Sequence, residues 1–114
     1  MRLYNRSQGR KVIARQLHLA DTFWKRLQRL IGKDELLLDE AVLIVPANCL
    51  NTYFLSLPVD VVFLDQEGKV VGMLESVMPW QTVCEKKAQA VLELAAGALC
   101  RHGCQIGDQL TWEA

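Results

Sequence analysis

The middle of the chain, residues 51–80, constrains the fold more than any other stretch. Its first half ends in the apolar, β-branched run Val59-Asp60-Val61-Val62-Phe63-Leu64. The polar sequence Gln66-Glu67-Gly68 follows, and a second apolar run begins at Lys69-Val70-Val71-Gly72. Two such runs joined by a short turn containing glycine predict a β-hairpin through the core.

Size and composition predict one soluble domain spanning residues 1–114. The chain has 114 residues, 51% of them hydrophobic and 23% charged, which is ordinary for a globular protein. No apolar run approaches the roughly 20 residues of a membrane-spanning helix. The first residues also lack the apolar stretch of a secretory signal, so we expect a cytoplasmic protein without a membrane span.

The four cysteines follow no spacing typical of a disulfide scaffold. Since the cytoplasm is reducing, we expect Cys49, Cys84, Cys100 and Cys104 to remain free thiols.

Charge is balanced overall but divided unevenly along the chain. Residues 1–33 hold nine basic residues and one acidic residue, whereas the remainder holds four basic and twelve acidic residues. An anionic partner for the first third is one explanation, and mutual neutralisation within a small domain is the simpler one.

Patterns along the rest of the chain predict a fold of the α+β class that is mostly β. We expect short strands near residues 3–5, 12–19, 36–38, 41–45, 88–94 and 109–112, with residues 79–87 as a loop. Apolar residues at helical spacing predict one packed helix over residues 22–31, and a short helical turn passes through Leu99 and Arg101. About seven short, mostly antiparallel strands predict a small barrel or sandwich-like domain.

Several of these segments together resemble the domain-of-unknown-function 192 family, also known as uncharacterised protein family 0127. The resemblance covers almost the whole chain. It is carried by Leu19-Ala20, Arg26-Leu27-x-x-Leu30-Ile31-Gly32-Lys33, Pro46, Asn51-Thr52, Pro58-Val59-Asp60-Val61-Val62-Phe63-Leu64-Asp65, Gly68-Lys69-Val70-Val71, Pro79, Val91-Leu92-Glu93-Leu94, Gly97 and Gly107-Asp108.

The resemblance implies a small, β-rich single domain with no assigned activity. This chain departs from the family pattern by having Asn51 in place of a histidine, and Leu55 and Ser56 in place of a methionine and a basic residue. Arg29 replaces a glycine, and Ala47 replaces a cysteine. Any family chemistry that needs the missing histidine or basic residue would be absent here.

Asp60 is the first candidate site residue, because a carboxylate inside an apolar strand needs a partner. Alternation places it on the same face as Val62 and Leu64. It is a candidate acid/base or ligand-binding group. Alternatively, it accepts hydrogen bonds from backbone N–H groups and fixes the turn around Pro58.

Glu93 is the candidate partner of Asp60. If the two carboxylates converge from neighbouring strands, they form either a general acid/base pair of the kind that a hydrolase uses or an oxygen-rich metal site. The simpler alternative is an outward-facing glutamate paired with a cation such as Arg101.

A polar cluster of Asn51, Thr52, Tyr53 and Ser56 precedes the apolar strand. These side chains can line the mouth of a pocket, so Asn51, Thr52 and Ser56 together with Asp60 are the candidate ligand-binding residues. Turn formation explains them equally well.

Other patterns are weaker. Cys100-x-His102-x-Cys104 lacks the second ligand pair of a structural zinc site, and a Cys84–His102 catalytic pair has nothing to position it, so we expect no metal and no cofactor. Lys25, Arg26, Arg29 and Lys33 lie on one side of the predicted helix and are candidates for an anionic surface, although nucleic-acid binding is disfavoured.

No set of residues amounts to a complete catalytic signature. The leading hypothesis is therefore a non-catalytic module that binds a small molecule or a protein. The alternatives are a hydrolase-like enzyme using Asp60 and Glu93, or an anionic-surface or nucleic-acid binder using residues 1–33. The partner and the oligomeric state are not predicted by the sequence.

Overall fold

The computed structural model describes residues 1–20, 36–53 and 55–113. In chain order the strands are β1 (Arg2–Asn5), β2 (Lys11–Ala14), β3 (Gln16–Leu19), β4 (Glu40–Ile44), β5 (Cys49–Asn51), β6 (Val59–Leu64), β7 (Val70–Val77), β8 (Thr82–Cys84), β9 (Ala90–Ala95) and β10 (Leu110–Glu113). A 3₁₀ turn spans Arg6–Gln8, and the helix α1 spans Ala98–His102.

These strands form three sheets. The central sheet has the order β3-β4-β9-β6-β7, a second sheet has the order β10-β1-β2, and β5 pairs with β8. Within the described ranges every strand pair is antiparallel except β3 with β4, which is parallel. The predicted α+β, mostly-β class with a sandwich-like arrangement is confirmed.

The central sheet is covered on both faces, which explains its long apolar strands. All six residues of β6 and all six of β9 are buried, so their sequences read as continuous hydrophobic runs rather than as alternating ones. One face packs against the β10-β1-β2 sheet and α1, with a core that includes Leu3, Ile13, Leu43, Val62, Leu92, Leu94, Leu99 and Leu110. The other face packs against the β5–β8 pair, with a core that includes Leu36, Val42, Leu50, Leu55, Val61, Phe63 and Val91.

The hairpin predicted from the central block is β6 and β7. Asp65 accepts the backbone N–H of Gly68 at its own carbonyl, and its side-chain Oδ1 accepts the N–H groups of Glu67 and Lys69 at 2.8 and 2.9 Å. Gly68 has a φ of 83°, in the left-handed region, and a Cβ there would lie 2.6 Å from the Leu110 carbonyl oxygen. Only glycine fits this turn without strain.

Several predicted boundaries were wrong. The strand expected over residues 12–19 is divided at Arg15, because the N–H groups of Arg15 and Gln16 both donate to the Asp39 carbonyl and the chain moves there between two sheets. Residues 36–38 are not a strand, and the loop expected over residues 79–87 contains β8. The described ranges therefore hold ten strands rather than about seven.

Two helical predictions have different outcomes. The short turn through Leu99 and Arg101 is the helix α1, which ends at the left-handed Gly103. The helix predicted over residues 22–31, with Lys25, Arg26, Arg29 and Lys33, lies outside the described residues.

The expectation of four free thiols was wrong. Cys49 and Cys84 are directly opposite each other in the β5–β8 pair, and their sulfur atoms form a disulfide. Cys100 and Cys104 are free. The disulfide links residues that are 35 positions apart in sequence, and a single sequence does not show which strands are neighbours.

None of the helices in the described part of the chain is long and apolar enough to cross a membrane.

Candidate functional site

Asp60 is fully buried and its carboxylate is satisfied by three backbone donors. Its Oδ1 accepts the N–H of Ser76 at 2.9 Å, and its Oδ2 accepts the N–H groups of Gly97 and Leu99 at 3.1 and 3.0 Å. These donors belong to β7 and to the start of α1, not to the turn around Pro58. The side chain thus links β6 to two segments that are distant in sequence.

Glu93 is also fully buried, but unlike Asp60 it lies among apolar side chains. It lies in the middle of β9, directly across from Val42 of β4 and Val61 of β6. Neither carboxylate oxygen has a hydrogen-bond partner in the described part of the chain. Burial raises the pKa of Glu93 from 4.5 to about 8, so the group is mainly protonated at neutral pH.

The expected ion pair between Glu93 and Arg101 does not form. Glu93 is not outward-facing, and the Arg101 guanidinium instead donates to the Leu38 carbonyl at 3.0 Å.

The register of β6 and β9 places the two carboxyl groups on opposite faces of the central sheet. Asp60 is paired with Leu94, and Val61 is paired with Glu93. Because paired residues point to the same face and neighbours along a strand point to opposite faces, Asp60 and Glu93 are separated by the sheet itself. The acid/base pair considered from the sequence therefore does not converge.

Thr52, one of the polar residues that precede β6, makes several hydrogen bonds. Its Oγ1 donates to the Met78 carbonyl at 2.8 Å and accepts the N–H of Gln81 at 3.0 Å. Its backbone N–H donates to the Gln81 carbonyl, and its own carbonyl accepts the N–H of Trp80 at 3.3 Å. Thr52 is fully buried and joins the end of β5 to residues 78–81.

The neighbours of Thr52 are at the surface. Asn51 is exposed, and its Oδ1 accepts the N–H of Tyr53 at 2.8 Å in a local turn. Ser56 is exposed as well. The structure therefore separates the four candidate ligand-binding residues: Asn51 and Ser56 lie at the surface, whereas Thr52 and Asp60 are inside.

Two aromatic side chains stand beside Thr52, and their exposure was not evident from the sequence. Tyr53 is 45% exposed and Trp80 is 74% exposed, and their ring centroids are 5.6 Å apart. Trp80 has a φ of 68°, which is a strained, left-handed conformation for a bulky residue. A signal was present in Pro79-Trp80, because a tryptophan in a predicted loop has few places to be buried.

Two further exposed apolar residues, Leu57 and Met78, lie near Tyr53 and Trp80 in the sequence. We call Tyr53, Leu57, Met78 and Trp80 the aromatic ledge. The Thr52 hydrogen bonds and the Cys49–Cys84 disulfide fix the backbone beneath it.

The Cys100-x-His102-x-Cys104 segment is not arranged as a metal site. Burial, and then the nearby Asp108, raise the pKa of the Cys104 thiol to about 11, whereas Cys100 is exposed. Burial, followed by Arg101 and Lys11, lowers the pKa of His102. Over the described ranges, no three histidine, cysteine or acidic side chains are grouped so that they could hold a metal ion.

A cavity of about 340 Å³ opens at one end of the central sheet, on the Glu93 face. The side chains that line it are apolar, and they belong to Leu36, Leu37, Leu38, Leu57, Pro58, Val59, Ala95 and Ala96.

Comparison with protein families decides the classification. Residues 4–112 match the family model described as "Uncharacterized ACR, COG1430", which is domain of unknown function 192. The chain belongs to this family. It is also 30% identical to a UPF0127 protein of Thermococcus sibiricus, over 97% of this chain and 74% of that protein. The family predicted from the sequence is confirmed.

Two solved structures share the fold of this domain-of-unknown-function 192 protein. A protein of unknown function from Novosphingobium aromaticivorans aligns with a TM-score of 0.74 and 21% identity, covering 98% of this chain and 84% of that one. A candidate transcription regulator from Sinorhizobium meliloti aligns with a TM-score of 0.70 and 22% identity, covering 96% and 89%. At these identities the likeness concerns the fold alone.

Proposed function

We propose that the protein is a non-catalytic binding module, and that the aromatic ledge binds an extended segment of a partner protein. The observation that carries this proposal is Trp80, which is 74% exposed although its backbone is held at a φ of 68°. Strained backbone conformations persist where the surrounding structure enforces them, and they are concentrated at functional sites.

The composition of the ledge favours a protein partner. Tyrosine, tryptophan and methionine are enriched at protein interfaces, and tryptophan and tyrosine contribute a large share of the binding energy there. The ledge joins these residue types on a backbone that is already fixed by Thr52, so little conformational entropy would be lost on binding.

The neighbouring strands favour an extended partner. In the described part of the chain, β5 and β8 pair only with each other, so each has an outer edge without a strand neighbour. An extended peptide can add to such an edge through main-chain hydrogen bonds while aromatic side chains select its residues. We include Asn51, at the end of β5, and Ser56 in the proposed contact surface because both are exposed.

The alternative functions have less support. A hydrolase that uses Asp60 and Glu93 together would need the two groups to meet, and the sheet separates them. The basic residues proposed for an anionic surface, Lys25, Arg26, Arg29 and Lys33, lie outside the described residues.

A photo-crosslinking amino acid at position 80 tests the proposal in a lysate of the native host. We expect one discrete adduct with a protein, and none from the same amino acid at position 106. Ile106 is the matched control because it is also exposed but lies outside the ledge. Identical patterns of adducts at both positions would argue against the ledge as a binding surface.

Competition makes the test quantitative. Unlabelled wild-type protein should displace the adduct, and the Trp80→Ala variant should need at least about tenfold more protein to do so, as expected for a tryptophan at the centre of an interface. If Trp80→Ala displaces the adduct at the same concentration as the wild type, Trp80 has no role in binding. The melting temperature of Trp80→Ala should match that of the wild type, which shows that the substitution leaves the fold intact.

A further inference from the structure

The disulfide between Cys49 and Cys84 lies at the surface of the protein. Both residues are exposed, whereas cysteine is among the residue types most often buried. Thiol–disulfide exchange requires an attacking thiolate to reach one of the two sulfur atoms, and exposed disulfides are typically those that are reduced and formed again during function. The position of this bond therefore favours a reversible role over a purely structural one.

The disulfide is the first step of the ladder that β5 and β8 form. Cys49 is paired with Cys84, and the same antiparallel register continues to Asn51 and Thr82. Because the sulfur–sulfur bond joins directly opposed residues, it holds the two strands in this register.

Thr52 and Gln81 extend the ladder beyond the two strands towards the aromatic ledge. The Thr52 N–H donates to the Gln81 carbonyl at 2.8 Å, and the Gln81 N–H donates to the Thr52 hydroxyl oxygen at 3.0 Å. The next residues are Tyr53 and Trp80, whose ring centroids are 5.6 Å apart. The disulfide therefore lies at one end of a short ladder, and the aromatic pair lies at the other end.

Few other contacts hold the β5–β8 ladder together. The two strands have three residues each, and in the described part of the chain they pair only with each other. Among these residues only Leu50 is buried. An isolated pair of strands is marginally stable in water. We therefore expect this ladder to open locally once the covalent bond is broken, while the buried central sheet stays folded.

We propose that the Cys49–Cys84 disulfide is a redox switch that controls the aromatic ledge. In the oxidised protein the bond holds Tyr53 and Trp80 in their binding arrangement, and its reduction releases them. This inference rests on the binding role proposed for the ledge, and it adds the regulation of that site.

A dithiol supplies the electrons for this switch. One thiolate of the dithiol attacks a sulfur atom of the disulfide, so that a mixed disulfide forms and the other cysteine leaves as a thiolate, which takes up a proton. The second thiol of the dithiol loses its proton, attacks the mixed disulfide and releases the second cysteine. Two electrons pass to the protein, and the dithiol is oxidised to its own disulfide. An oxidised dithiol of the same class reverses the exchange.

Reduction of the folded protein is the first test. Dithiothreitol is the dithiol probe, and alkylation with iodoacetamide followed by peptide mass analysis reports each thiol. We expect Cys49 and Cys84 to be alkylated without denaturant once dithiothreitol is present, whereas the exposed thiol of Cys100 is alkylated without it. If Cys49 and Cys84 are alkylated only after unfolding in urea, the proposal is overturned.

NMR relaxation of the backbone amides tests whether reduction opens the ladder. We expect the order parameters of the Thr52 and Gln81 N–H groups to fall from about 0.85, a value typical of rigid backbone, to below about 0.6. Those of β6 should not change, because the central sheet stays folded. Unchanged values at Thr52 and Gln81 in the fully reduced protein would overturn the proposal, as would an equal fall in β6.

Photo-crosslinking at position 80 connects the disulfide with binding. The proteins are compared in one lysate without added reductant, so that the lysate proteins keep the same redox state. The Cys49→Ser and Cys84→Ser double variant should give at least about tenfold less adduct, because apparent affinity falls with the fraction of protein in the binding arrangement. Cys100→Ser keeps the disulfide and should match the wild type.

The outcomes of this comparison separate the two proposals. Equal yields of adduct from the double variant and the wild type would refute the redox control and leave the ledge as a binding surface. No adduct from either protein would refute both the binding role and its control. The NMR measurement uses the reduced wild type, so it decides whether the ladder opens even if the double variant does not fold.

Discussion

Each face of the central sheet buries one carboxyl group, and the two groups differ in their hydrogen bonds. On one face, Asp60 accepts three backbone N–H groups at 2.9 to 3.1 Å. On the other, Glu93 has no partner in the described part of the chain. Both groups are fully buried, so burial alone does not distinguish them. What distinguishes them is whether hydrogen bonds replace the lost water.

The largest difference between the faces should appear in the pH dependence of stability. Burial raises the pKa of Glu93 from 4.5 to about 8, so the folded state binds a proton that the unfolded state releases across this range. The contribution of Glu93 to the free energy of unfolding is therefore most favourable below pH 4.5, and it is lost as the pH rises towards 8. The loss is about 1.4 kcal/mol per pH unit within the window.

Urea unfolding at pH 5, 6, 7 and 8 measures this effect. The Glu93→Gln variant is the control, because its side chain does not titrate and its stability should lack the decline. If wild type and Glu93→Gln have parallel stability profiles, Glu93 is not protonated in the folded state.

On the Asp60 face, the free energy of unfolding should depend strongly on the carboxylate that accepts the three backbone N–H groups. Asp60→Ala leaves the N–H groups of Ser76, Gly97 and Leu99 without their acceptor, and we expect a loss of about 3 to 5 kcal/mol in the free energy of unfolding. Asp65 is a matched control, since its carboxylate also accepts backbone N–H groups but at an exposed turn.

Equilibrium denaturation of Asp60→Ala and Asp65→Ala makes the comparison. Asp65→Ala should lose about 1 kcal/mol, because water replaces the missing acceptor at an exposed site. Equal losses at the two positions would mean that the Asp60 hydrogen bonds contribute no more than those of a surface turn.

A smaller effect is expected from the disulfide that covers the Glu93 face. It closes a loop of 35 residues, so its removal should lower the free energy of unfolding by about 3 kcal/mol. Both cysteines are exposed, and reductant should therefore reproduce the effect of the Cys49→Ser and Cys84→Ser double variant. Cys100→Ser, at an exposed free thiol, is the control. A reductant effect that persists in the double variant would have another origin.

The sequence predicted the parts of the fold that local patterns determine. The β6–β7 hairpin was predicted because its apolar runs and its Gly68 turn are contiguous. Asp60 was placed on the same face as Val62 and Leu64 for the same reason. The position of Glu93 between Val42 and Val61 was missed, because it depends on which strands lie beside β9. The Cys49–Cys84 disulfide depends in the same way on the pairing of β5 with β8.

The candidate site was predicted less well for a related physical reason. Asn51, Thr52 and Ser56 are polar and close in sequence, yet hydrogen bonds to residues 78–81 bury only Thr52. Those same contacts expose Tyr53 and Trp80. Exposure of an aromatic side chain is a property of the folded surface, and the only sign of it in the sequence was the position of Trp80 in a predicted loop.

The pairing of β1 with β10 has a consequence for how the chain folds during its synthesis. Leu3 pairs with Trp112, and Asn5 with Leu110, so the edge of this sheet is completed by residues separated by more than a hundred positions. The β6–β7 hairpin can form as soon as it leaves the ribosome, since its contacts are local. A nascent chain stalled before Leu110 would leave one side of β1 unpaired. The open edge of β1 would then be accessible to chaperones until β10 emerges.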